Sequence, residues 1–153
     1  MQDDCMAVAL GLPQLKILWQ KEMEDHFEIT VIYCRGEATS SRHGKVTTKE
    51  HDRKQQCKQD RSLRDKGVFL RLIKRWFRCP FCGKVFTELD EVFGSRKRSS
   101  HRFREYLGQE ALHQTVIRTA QKEKVGEGLV RRCLTEEIGR RLEAKEWKRH
   151  RPS

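Results

Sequence analysis

The chain has 153 residues, 36% of them hydrophobic and 36% charged, so it has room for one domain or two very small ones around a thin core. Its formal charge is +11, and between Lys66 and Arg104 eleven Lys or Arg stand against three acidic residues, which favours a polyanionic partner. No stretch reaches the ~18 consecutive apolar residues of a membrane helix, and acidic Asp3 and Asp4 sit where a secretory leader would be basic. A reducing, cytoplasmic setting is therefore expected, in which the six cysteines serve metal binding rather than disulfides. A membrane surface is the weaker polyanion, because no long amphipathic basic helix coincides with the basic window.

In chain order, two short apolar runs come first, 15–19 and 27–34. Phe27, Ile29, Val31 and Tyr33 alternate with Glu28, Thr30 and Ile32, a period of two that predicts an antiparallel hairpin with one buried face. Residues 37–66 contain only Ala38, Val46, Cys57 and Leu63 as apolar members. Such a segment is not expected to order itself without a metal or a partner. Residues 68–78 form a long basic, aromatic strand that runs into Cys79-Pro80-Phe81-Cys82-Gly83-Lys84, with a return strand near 85–87. The stretch 94–100 is a basic linker without apolar content.

Beyond it the period changes to that of helices. Phe103, Leu107 and Ala111 predict a first helix over about 100–113, with Gly108 an unexpected member. A second helix is expected over 115–123, with Thr115 as its N-cap, and Gly126 breaks the pattern. A third runs over about 127–144, with Leu129, Val130, Cys133, Leu134, Ile138 and Leu142 as its apolar stripe. Two helices joined by a tight Gly-containing turn form a helix-turn-helix candidate. Ala120, Val125 and Val130 fall where that motif needs small or apolar residues. Arg131 and Arg132 fall where a recognition helix meets the major groove. Lys145, Lys148, Arg149 and Arg151 form a basic tail.

Two thiolates separated by two residues, with Gly after the second, wrap readily around a tetrahedral zinc ion. Cys79 and Cys82 are half of such a site, and no second CxxC exists. His43, Cys34, Cys57 and His51 are all candidates for the remainder. Arg71, Lys74, Arg75 and Arg78, interleaved with Trp76 and Phe77, are expected to contact phosphates, as are Lys122 and Lys124 near the helical turn. Arg131 and Arg132 are expected to reach base edges or the adjacent phosphates. No catalytic constellation stands out: there is no Ser-His-Asp arrangement, Gly-rich phosphate loop or zinc-protease helix.

Together these motifs resemble the N-terminal part of bacterial insertion-sequence transposases, in which a zinc ribbon and a helix-turn-helix precede a DDE catalytic domain. The resemblance is carried by Val68-Phe69-Leu70-Arg71-Leu72, by Arg75-Trp76-Phe77-Arg78-Cys79-Pro80-Phe81-Cys82-Gly83-Lys84 and by Phe86-Thr87-Glu88. Arg102-Phe103, Val125 and Val130-Arg131-Arg132 extend it.

The resemblance implies an α+β chain. Its expected parts are an N-terminal hairpin (1–35), a zinc-ribbon-like region (36–93), a linker (94–99), a helix-turn-helix (100–144) and a basic tail (145–153). It also implies a first CxxCG ahead of the basic strand. Ser40-Ser41-Arg42-His43-Gly44 occupies that place, which makes His43, Cys79 and Cys82 the expected zinc ligands. The function so implied is recognition of the double-stranded DNA at element ends, by a nucleoid-associated, truncated transposase without its catalytic domain. Self-association, or pairing with a full-length transposase, is the protein partnership implied. The alternative is an RNA-binding or ribosome-associated zinc-ribbon protein, in which Trp76, Phe77 and Phe81 stack on unpaired bases. A remnant whose ribbon no longer folds is the third expectation.

Overall fold

Successive side chains of a strand point to opposite faces, and one long strand here uses that rule twice. The computed structural model describes residues 10–94 and 97–149. The chain divides into two compact units, Met1–Ser100 and His101–Ser153. Ser95 and Arg96 of the expected linker, and Arg151 of the expected tail, lie outside the described residues.

The first unit is built on a sheet of β1 (Leu15–Glu22), β2 (His26–Tyr33), β5 (Glu50–Leu63), β6 (Lys66–Arg78) and β7 (Val85–Thr87). Its order is β1-β2-β6-β5, with β7 paired to β6 beyond the reach of β2. A second, two-stranded sheet pairs β3 (Ala38–Thr39) with β4 (Val46–Thr47). The hairpin of β1 and β2 forms as its alternation demands, burying Phe27, Ile29, Val31 and Tyr33.

It is not a separate domain over 1–35, however. β2 pairs in parallel with β6, from His26 against Gly67 to Val31 against Leu72. The apolar faces of the two strands thereby share one core, which also includes Leu15, Ile17, Val68, Leu70, Leu72, Val92 and Phe93.

The polar segment 37–66 also departs from expectation. It contains β5, 14 residues long, laddered against β6 by a tight turn at Arg64 and Asp65, both with positive φ (52° and 63°). Backbone pairing, rather than apolar content, supplies its order. Its outer edge is partly covered by the expected linker. Gln59 N–H donates to the Arg98 carbonyl (2.8 Å), and Ser100 N–H donates to the Gln59 carbonyl (2.9 Å). Lys58 and Asp60 are buried there. The Lys58 ammonium donates to the Lys97 carbonyl, and Ser100 Oγ donates to Asp60 at 2.6 Å.

β6 changes its buried face midway. Val68, Leu70 and Leu72 are buried on one side, whereas Arg75 and Phe77 are buried on the other. The register against β5 stays continuous from Asp60–Val68 to Asp52–Trp76, so no bulge in β6 causes the switch. The first half of the strand closes the main core; the second half closes over β7 and the loop after it.

The second unit has α1 (His101–His113), α2 (Val116–Glu123) and α3 (Glu127–Arg149). Thr115 caps α2, its hydroxyl accepting from Arg118 N–H (3.1 Å). Lys124 takes the left-handed conformation (φ 57°) that ends it, and Val125 N–H closes the turn on the Ala120 carbonyl (3.0 Å). Phe103, Leu107, Ala111, Ala120, Val130 and Cys133 form the core.

Gly108 has a packing reason. A Cβ there would meet the Cys133 carbonyl oxygen at 2.6 Å, so its absence lets α1 and α3 approach. The stripe of α3 is buried only as far as Leu134; Ile138 and Leu142 are exposed at 42% and 57%. Among the described residues, no helix is long and apolar enough to cross a membrane.

Candidate metal centre and basic surface

Two hairpin turns of the first unit have the same backbone. In residues 79–84, between β6 and β7, Cys79 N–H donates to the Lys84 carbonyl (2.9 Å) and Gly83 N–H to the Cys79 carbonyl (2.9 Å). In residues 40–45, between β3 and β4, Ser40 N–H donates to the Lys45 carbonyl and Gly44 N–H to the Ser40 carbonyl, both at 2.8 Å. Gly83 and Gly44 take the same left-handed φ, 73° and 63°, as this turn requires.

The two tips meet. The ligand atoms of His43, Cys79 and Cys82 all lie within 4.8 Å of one another. Donors around one tetrahedral zinc lie roughly 3.5 Å apart, so a small contraction suffices to close the group on an ion. The Phe81 ring lies beside the His43 imidazole, with centroids 4.6 Å apart.

The donor set also fits chemically. Backbone N–H of Cys82 holds the Cys79 thiol down, to about 7, with further help from Phe81 N–H and the Ser40 hydroxyl and against the opposing effect of burial. A thiol so poised loses its proton readily to a metal. The other sequence candidates do not join the group. Cys34 Sγ lies 3.7 Å from the Pro13 carbonyl, and His51 Nδ1 is 3.2 Å from the Arg78 guanidinium. Cys57 is exposed on β5.

The basic strand divides along the switch of faces. Arg75, expected to contact phosphate, is buried, its guanidinium held by Glu88 (2.7 Å) and by the carbonyls of Arg35 (2.6 Å) and Tyr33 (3.3 Å). It pins the end of β2 to β6 and is consumed inside the fold. Phe77 is equally unavailable for stacking, at 1% exposure.

Arg71 is exposed and paired with Glu28 (3.4 Å). Arg78 is exposed and donates to the Gly83 carbonyl of the cysteine turn (2.8 Å). Lys74 and Lys54 approach the Trp76 ring at 5.7 and 5.8 Å from its centroid. Nearby, Gln56, Lys58, Phe69, Lys74, Lys97 and Arg98 line a cleft of about 620 Å³. Sequence inspection missed Lys54, because only the pairing of Lys54 with Lys74 brings it to Trp76.

In the second unit, Arg131 and Arg132 are exposed on α3, with Arg131 in a 3.2 Å pair with Glu127 one turn earlier. Lys122 lies 3.6 Å from Glu110, and Lys124 is exposed at the turn.

Comparison with known protein families, with curated proteins and with solved structures finds no match. Function therefore has to be argued from the site itself.

Proposed function

We propose that the chain binds double-stranded DNA in the manner of the N-terminal part of an insertion-sequence transposase. In this proposal the first unit is a zinc-ribbon-like module, and α2 and α3 act as a helix-turn-helix. The observation that carries it is the convergence of two matched turns on His43, Cys79 and Cys82, at the end of a strand whose Trp76 is approached by Lys74 and by Lys54 of β5. Zinc, when bound, would tie the two turns together through those three residues. Arg78 supports the link to DNA, since its guanidinium fixes the knuckle backbone while its exposed side reaches solvent. Lys54, Lys74, Arg71 and Arg78 would neutralise backbone phosphates. Arg131 and Arg132 would face base edges or their neighbouring phosphates, with Lys122 and Lys124 at the turn.

A fluorescence-anisotropy titration of labelled duplexes at two salt concentrations tests this. Arg131→Ala should weaken binding to an element-end duplex more than to unrelated duplex. Lys74→Gln should weaken both and reduce the salt slope by about one. Equal losses from Arg131→Ala on both duplexes would count against base readout by α3. The RNA-binding alternative draws support from Phe81, whose ring is 69% exposed. Tighter binding of single-stranded RNA than of duplex DNA in direct competition would favour it.

A further inference from the structure

The matched turns differ in their donors, and the difference falls at Ser40. Because the hydrogen bonds correspond one to one, Ser40 stands where Cys79 stands and His43 stands where Cys82 stands. Ser40 is buried, at 4% exposure, and lines one small cavity together with Cys79 and Cys82. A serine hydroxyl keeps its proton near neutral pH and is a far poorer zinc ligand than a thiolate or a neutral imidazole. Among the described residues, the three donors that do converge leave one corner of a tetrahedron without a protein ligand.

The surroundings favour a ligand from outside at that corner. A cavity of about 220 Å³ adjoins the group, lined by Ser40, Arg42, Cys79, Cys82, Lys84 and Phe86 among others. His43 and Cys82 are exposed, so the site is reached from solvent. Two thiolates and a neutral imidazole cancel the charge of a zinc ion. Arg42 and Lys84, both lining the cavity, then provide the local attraction for an anion.

We propose that His43, Cys79 and Cys82 form an open metal site whose fourth position takes a small thiolate from solution, and that Ser40 keeps that position free. The proposal rests on the metal-binding part of the function proposed above and not on its DNA-binding part. Ser40 does not ligate: it occupies the matching turn position with a side chain that is a poor zinc donor. Binding is a ligand exchange, in which the thiol proton passes to solvent and nothing is oxidised or reduced.

The full chain loaded with cobalt(II) and titrated with mercaptoethanol tests this through its visible and near-ultraviolet absorption. The wild type should gain thiolate-to-cobalt charge-transfer intensity in a saturable way. Ser40→Cys should begin with the intensity that the wild type reaches only at saturation, and should not respond to thiol. In competition against a chelator, Ser40→Cys should hold cobalt at least about tenfold more tightly, since even outer-shell changes move metal affinity ~10–100-fold. Ser40→Ala, which adds no donor, should keep the thiol response and so guards against a folding effect of the cysteine.

A wild-type spectrum indifferent to thiol, with cobalt bound, overturns the open site and leaves the metal reading standing. An unchanged affinity in Ser40→Cys overturns the assignment of Ser40 to the fourth corner. Failure of every variant to bind cobalt overturns this proposal together with the metal reading.

Discussion

Arg71 and Arg75 lie on one strand, each beside a glutamate, and they do opposite work. Arg71 projects from the first half of β6, where the solvent side carries it, and pairs with Glu28 at the surface. Arg75 projects from the second half on that same side of the strand, which by then has become the buried one. Its guanidinium is enclosed by Glu88 and two carbonyls. Residue type, strand and side of the strand are thus the same. What separates a solvent-facing arginine from a structural one is which layer covers the sheet at that point.

The largest effect is expected at Glu88. Its removal in Glu88→Ala leaves the Arg75 cation buried without its carboxylate, which should lower the unfolding free energy by about 3–5 kcal/mol in urea titrations. A loss below about 1 kcal/mol would mean that Arg75 escapes to solvent and rejoins the exposed cations. Glu28→Ala should cost less than about 1 kcal/mol, because the Arg71 pair is screened by water. If the two glutamates prove equal, the contrast between the halves of β6 is lost.

The smallest effect concerns His26, which also touches Glu28. Hydrogen bonds donated to Asp25 foremost, and to Glu28, raise its pKa above the ordinary histidine value. A raised folded value contributes stability below the unfolded pKa of about 6.5 and loses it as pH rises through the folded value. Urea midpoints should therefore drift down slightly from pH 6 to about 8 in the wild type. The drift should be weaker in His26→Gln, and an unaltered slope in that variant would remove the effect.

Legibility differed between the two units. The helices of the second unit were readable because helical order is local. Phe103, Leu107 and Ala111 announce α1, Thr115 caps α2, and Gly126 precedes α3. Even so, α3 runs to Arg149, five residues beyond its expected end, and the apolar-stripe members Ile138 and Leu142 are exposed. Gly108, unexpected in a helix, is a point of close approach between α1 and α3.

In the first unit the hairpin of β1 and β2 was equally legible, from its alternation. β5 was not, because its order comes from a partner strand rather than from its own side chains. At the candidate centre the CxxC turn and His43 could be named from the sequence. Lys54 and the exclusion of Arg75 could not.

By itself, the sequence determined the helices, the apolar alternation of β2, the cysteine turn and the excess of positive charge. These depend on neighbours a few residues apart, where backbone geometry and side-chain period act directly. Tertiary structure alone decided that β2 joins β6 in parallel, that β6 exchanges its buried face, and that polar β5 ladders against β6. Those outcomes depend on which distant strands meet, and no local pattern encodes a partner.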